Sequence, residues 1–170
     1  MRVLLVNPPK HRLMNTDVSY FPLNLGALAG SLERNDIEVA IYNAELEDSG
    51  NADVYPMSFI EMTKLQSELE ALNFDSPSFS RILDEFRKVI NDYRPDVLGI
   101  TCMSGDYLIA KHLTEKTKQM MPECVVVMGG AHVSALPDTS LVDSIDFILT
   151  GQAENTLVEL IRLVEHNKSS

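Results

Sequence analysis

An apolar run, Val125-Val126-Val127-Met128, ends at Gly129-Gly130 and is followed at once by His132 and Ser134. Paired glycines at a strand end let another group come unusually close to the backbone, and an imidazole and a hydroxyl beside that gap are ligand-contacting groups. By themselves the two glycines read as a tight strand-to-helix turn. Three other strand ends argue for a ligand. Asn7-Pro8-Pro9-Lys10-His11 follows the first apolar run, Thr101-Cys102-Met103-Ser104-Gly105-Asp106 ends the third, and Gly151-Gln152-Ala153-Glu154 follows the fifth. Small residues, hydroxyls and one amide describe a largely neutral pocket with backbone donors.

Other chemistries fit poorly. Ser104 and Ser134 have no His–Asp partner set, and Cys102 has no His, Lys or Arg beside it, so the serines read as helix-start or turn hydroxyls. His11, His112 and His166 read as solvated or structural. His132 has no second ligand at a metal-binding spacing. Glu154 suits the start of a helix through the macrodipole. No catalytic and no metal-ligating residue is assigned. A Walker loop and a glycine-rich dinucleotide turn are missing after the first strand. A Ser/Thr-rich flavin-phosphate loop is missing too. A receiver domain needs acids where Asn7 and Thr101 stand.

The elements that must hold these segments alternate. Strands are predicted at Arg2–Asn7, Glu38–Asn43, 96–102, 123–128 and 147–150. Helices are predicted at 23–34, 107–121, 134–143 and 154–166. The clearest helix starts near Ser76-Pro77 and carries one stripe, Phe79, Ile82, Leu83, Phe86, Val89, Ile90 and Tyr93. Residues 45–77 read as a partly mobile insertion on the second crossover, with a helix at 58–72. Short apolar strands joined by helical crossovers imply a parallel sheet covered on both faces. The expected fold is α/β, a flavodoxin-like doubly wound five-stranded sheet in the order 2-1-3-4-5. Its crevice would lie at the carboxyl ends of the first and third strands.

At 170 residues the chain fits a single domain, 1–170. The 25 acidic residues outnumber 14 basic ones, and a net charge of −11 repels phosphate backbones and anionic lipids. Nucleic acid and membrane are therefore not expected partners. The start of the chain lacks the long apolar region of a signal peptide. The two cysteines, Cys102 and Cys124, read as core thiols of a reducing compartment, and the expected location is cytoplasmic.

Five segments in order resemble one family: Val3-Leu4-Leu5-Val6-Asn7-Pro8-Pro9, Tyr20-Phe21-Pro22-Leu23-Asn24-Leu25-Gly26-Ala27-Leu28-Ala29, Arg94-Pro95-Asp96-Val97-Leu98-Gly99-Ile100-Thr101, Gly129-Gly130-Ala131-His132-Val133-Ser134 with Pro137, and Gly151-Gln152-Ala153-Glu154-Asn155-Thr156-Leu157. Together they resemble the N-terminal cobalamin-binding domain of cobalamin-dependent radical S-adenosylmethionine enzymes. The resemblance implies that cobalamin sits at the carboxyl edge of the sheet. Its nucleotide tail would run past Ser104-Gly105 and Gly129-Gly130, with His132 and Gly151 to Glu154 along it. The implied contact residues are Asn7, Pro8, Thr101, Met103, Ser104, Gly105, Gly129, Gly130, His132, Ser134, Gly151, Gln152, Ala153 and Glu154.

The chain departs from the wider pattern in three places. Asn7-Pro8-Pro9-Lys10-His11 replaces the Asp-x-His-x-x-Gly loop that supplies a histidine to cobalt. Gln152 stands where the family usually has Glu. The Cys-x-x-x-Cys-x-x-Cys cluster motif is absent, so an iron–sulfur cluster and S-adenosylmethionine would belong to a partner domain or subunit. The expected function is a cobalamin-binding module that supports a radical S-adenosylmethionine partner in methyl transfer or a related reaction. The alternative is a ligand-free interaction or regulatory module on the same fold.

Overall fold

The apolar runs pair into one sheet because each is short, uncharged beyond the Arg2 and Glu38 that open the first two strands, and flanked by turn residues. The computed structural model describes residues 1–13, 21–46, 74 and 77–168. Five strands are found among them: β1 (Arg2–Asn7), β2 (Glu38–Asn43), β3 (Val97–Thr101), β4 (Val125–Gly129) and β5 (Phe147–Leu149). All neighbours are parallel, and the order is β2-β1-β3-β4-β5, as the sequence predicts. The order reverses between β1 and β3, where Leu5 pairs with Gly99 and Val6 with Ile100. The two crossovers leave β1 and β3 on opposite faces of the sheet, and a crevice opens at their carboxyl ends.

Alternation along the strands sends side chains to two cores. Val3, Leu5, Val97 and Val127 pack against α2 (Leu23–Glu33) and the last helix, α7 (Glu154–Lys168), through Leu25, Leu32, Leu157, Val158 and Ile161. Leu4, Val6, Leu98, Ile100, Val126 and Met128 pack against α3 (Pro77–Tyr93) and α4 (Tyr107–Met120). The stripe read in the sequence supplies Phe79, Leu83, Phe86 and Ile90 to that face. Burying each such side chain contributes about 1.5–3 kcal/mol. Two acids fix strand starts at the opposite, amino edge. Asp96 accepts the Arg2 N–H at 2.8 Å, and Asp146 accepts the Val126 N–H at 2.6 Å.

Two readings of the sequence change. The segment after β1 is not all loop. Lys10–Leu13 forms a short helix, α1, held because the Glu45 carboxylate accepts the N–H groups of His11 and Arg12 at 2.9 and 2.8 Å. Arg12 donates two hydrogen bonds to Glu85 of α3, at 2.6 and 2.7 Å. The single helix expected at 134–143 is instead two short ones, α5 (Ala131–Ala135) and α6 (Pro137–Ser140). Pro137 starts the second and lacks the N–H needed to continue the first. The insertion expected at about 45–77 and its helix at 58–72 lie outside the described residues, apart from Glu45, Leu46, Phe74 and Pro77. No described helix is long and apolar enough to cross a membrane.

Candidate small-molecule groove

A groove of about 260 Å³ opens at the switch point, between α2, α7 and the sheet face they cover. Leu5, Gly99, Ile100, Thr101, Val127, Gly129 and Leu149 form its sheet side, and Asn24, Leu25 and Leu28 line it from α2. The connection from Gly130 and from Gly151 to Glu154, together with Leu157, closes the far wall. Ser31 donates to the Glu154 carbonyl at 2.9 Å and fixes the start of α7 against α2. Across the groove mouth, the Asn24 amide donates to the Thr101 hydroxyl at 3.1 Å.

The two glycines after Met128 do different things. Gly129 is an ordinary strand residue, and a β-carbon there would meet the Leu149 carbonyl at 3.5 Å, a normal contact. Gly130 has φ +110°, and a β-carbon there would stand 2.5 Å from the Cys102 carbonyl oxygen. That close approach joins the ends of β3 and β4. Cys102 N–H donates to the Gly129 carbonyl at 2.8 Å, and His132 N–H donates to the Cys102 carbonyl at 3.1 Å.

Seven of the residues expected from the sequence line the groove together: Thr101, Gly129, Gly130, Gly151, Gln152, Ala153 and Glu154. A second set stands beside it at the carboxyl edge. Ser134 Oγ donates to the Gly130 carbonyl and accepts the Gly151 N–H, both at 2.9 Å, and so ties two groove segments together. His132 is buried, stacks on Tyr107 with ring centres 4.3 Å apart, and has Nδ1 3.1 Å from Ser104 Oγ. Met103, Ser104 and Gly105 form the exposed turn between β3 and α4. Asn7 and Pro8 are buried outside the groove lining, and Asn7 donates to the Asn43 side chain at 2.8 Å.

Asn24, Leu25, Leu28, Gly99, Leu149 and Leu157 were not among the expected site residues. The signal for Gly99 is a lone glycine inside an apolar strand, which marks close approach of another group. Leu25 and Leu157 carry no such signal, because a groove-lining leucine and a core leucine obey the same helical spacing.

The titratable groups under the Met103–Gly105 turn are not a nucleophile set. Burial, with Asp106 beside it, pushes the Cys102 thiol far up, so it stays protonated at neutral pH and unreactive. Burial pushes the Asp106 carboxyl up to about 6, opposed by the Met103 N–H, which it accepts at 2.6 Å, and by Lys10. Among the described residues no cluster of three or more His, Cys, Asp or Glu is arranged to hold a metal ion. The groove itself is an apolar slot with amide, hydroxyl and carboxylate groups along its lining.

A flavodoxin-like sheet with a glycine-walled groove at its switch point defines a small-molecule-binding α/β domain. The chain belongs to the B12 binding domain family, which matches residues 13–161. It is 28% identical over 163 residues to a cytidylyl-2-hydroxyethylphosphonate methyltransferase of Streptomyces wedmorensis, covering 92% of this chain and 27% of the relative. An uncharacterized methyltransferase of Pyrococcus horikoshii is 26% identical over 165 residues, covering 95% of this chain and 29% of the relative. An anaerobic magnesium-protoporphyrin IX monomethyl ester cyclase of Rubrivivax gelatinosus is 26% identical over 87 residues, half of this chain and 16% of the relative. The chain thus spans less than a third of the length of the curated relatives it matches.

Proposed function

We propose that this chain is the cobalamin-holding part of a longer methyltransferase-type enzyme, with the nucleotide tail of the cofactor in the groove. The observation that carries the reading is the open groove at the β1–β3 switch point, bare of a side chain at Gly129, in a chain of the B12 binding domain family. The donor set fits the group. Asn24, Thr101 and Gln152 offer uncharged partners to ribose and phosphate oxygens, and the apolar walls suit an aromatic base.

Bound cobalamin supplies a cobalt-centred carrier for a methyl group. The chain's own work is to bind and orient. Ser134 holds the Gly130 and Gly151 segments at a fixed separation, His132 sets the position of Ser104, and the groove shields a base from water. The reaction partner we propose is a radical S-adenosylmethionine domain carrying an iron–sulfur cluster. This chain's two cysteines, both buried and 22 positions apart, do not provide that cluster's ligands. The additional length of the methyltransferase relatives leaves room for such a domain. An open, lined groove also argues against a ligand-free interaction module, whose slot would be filled by side chains.

Mixing the chain with hydroxocobalamin and desalting it tests the reading. About one corrinoid per chain should be retained, read by visible absorbance, as a single groove of this kind requires. A colourless protein fraction overturns it.

A further inference from the structure

Asn24 stands in the first turn of α2, a helix whose start at Pro22 has no side-chain cap. Its amide does not serve that helix. It reaches to the end of β3 and donates to the Thr101 hydroxyl at 3.1 Å. Thr101 is the last residue of β3 and shares a sheet face with Val97 and Gly99, because side chains alternate along a strand. Its register partner on β4 is Gly129, so no side chain stands beside the hydroxyl on that flank. Asn24 is exposed, Thr101 is half-buried, and both line the groove.

A hydroxyl carries one proton and two lone pairs, and the proton ordinarily turns to suit its neighbours. Here the Asn24 N–H takes a lone pair. That is the one side-chain hydrogen bond Thr101 makes among the described residues, so its own proton is unspent. Held from the α2 side, the O–H is left to point away from Asn24. A ligand atom with a lone pair gains a hydrogen bond there, whereas an N–H would set donor against donor. We propose that Asn24 is a positioning residue that fixes the Thr101 hydroxyl as a donor, so that the part of the corrinoid beside Thr101 must present an acceptor, such as a carbonyl or phosphate oxygen. This rests on the corrinoid reading above and adds the polarity of one contact to it. Asn24 acts through Thr101 and not through a contact of its own. The bond lies at an exposed site, where water replaces it at little cost to the fold.

Equilibrium dialysis against hydroxocobalamin tests this in a double-mutant cycle, with folding checked by circular dichroism. Asn24→Ala frees the hydroxyl to rotate and should weaken binding about three- to tenfold, the scale of one neutral hydrogen bond. Asn24→Asp puts a carboxylate where the donor was. It takes the Thr101 proton for itself and should weaken binding more than Asn24→Ala does. Thr101→Val removes the hydroxyl, and in its background Asn24→Ala should change binding by less than about twofold. Thr101→Ser keeps the hydroxyl, and binding should again depend on Asn24. Additive losses in the double variant, or an Asn24→Asp loss that persists unchanged beside Thr101→Val, would mean that position 24 meets the ligand directly, and either result overturns the proposal. Wild-type binding by Asn24→Ala overturns it too and leaves the corrinoid reading standing. A wild-type chain that holds no corrinoid overturns both.

Discussion

The Cys102 carbonyl oxygen and the Cα of Gly130 approach so closely that no side chain fits between them. A β-carbon on Gly130 would stand 2.5 Å from that oxygen and 2.8 Å from the Cys102 nitrogen, and the residue's φ of +110° already excludes other residues. Gly130→Ala must therefore separate the ends of β3 and β4. It should cost at least about 2 kcal/mol of stability, the scale of one strained backbone position plus a clash. Urea unfolding measures this, and a wild-type midpoint in the variant contradicts the account.

Gly129 differs from its neighbour in kind. A β-carbon there makes only an ordinary contact with the Leu149 carbonyl, but it points into the groove lining. Gly129→Val should fold with a wild-type circular dichroism spectrum and weaken corrinoid retention at least about tenfold, or about 1.4 kcal/mol. Undiminished retention by a folded variant removes the groove from the binding reading.

Ser134 joins two groove segments through one hydroxyl, which donates to Gly130 and accepts from Gly151. Ser134→Ala deletes both bonds at an exposed site, for a stability cost of about 1 kcal/mol. Hydrogen exchange at the Gly151 amide should quicken more than exchange in β4. Equal effects across the sheet would mean that the hydroxyl does not fasten this connection.

Asp106 gives a pH dependence with a definite sign. Burial raises its carboxyl from the ordinary 3.8 to about 6, against the lowering effects of Met103 N–H and Lys10 and together with the Glu45 charge. The folded chain thus holds that proton more tightly than the unfolded chain. The stability contributed by Asp106 is complete below about pH 4 and is lost as pH rises through about 6. Asp106→Asn keeps an oxygen for the Met103 N–H and carries no charge. Its stability relative to wild type should grow between about pH 4 and 7, reaching at most about 3 kcal/mol. A difference that is flat with pH, or that shrinks, contradicts this.

Much of the fold was legible in order along the chain. Strands that are buried on both faces must be continuously apolar, so the runs at Val3–Val6 and Val125–Met128 announced a parallel sheet, and the order β2-β1-β3-β4-β5 followed from right-handed crossovers. The stripe from Phe79 to Ile90 was equally plain, because a helix on a sheet needs one apolar face. The helix at Lys10–Leu13 was not, since it is held by Glu45, 33 and 34 positions away. The break at Leu136 was signalled by Pro137, but the propensities of 131–140 alone do not say on which side of it helix forms.

Residue type and position after a strand pointed to Thr101, Gly129, Gly130 and Gly151 to Glu154, and these residues line one groove because loops at one sheet edge converge by topology. That Gly129 borders the groove while Gly130 serves a backbone contact was decided only in three dimensions, by the distance to Cys102. So was the place of Asn7, drawn to Asn43 on β2 and away from the slot. The leucines of the groove stayed hidden for a simple reason. Hydrophobic spacing tells which face of an element is turned inward, and only the packed structure decides whether another side chain or an open slot lies opposite.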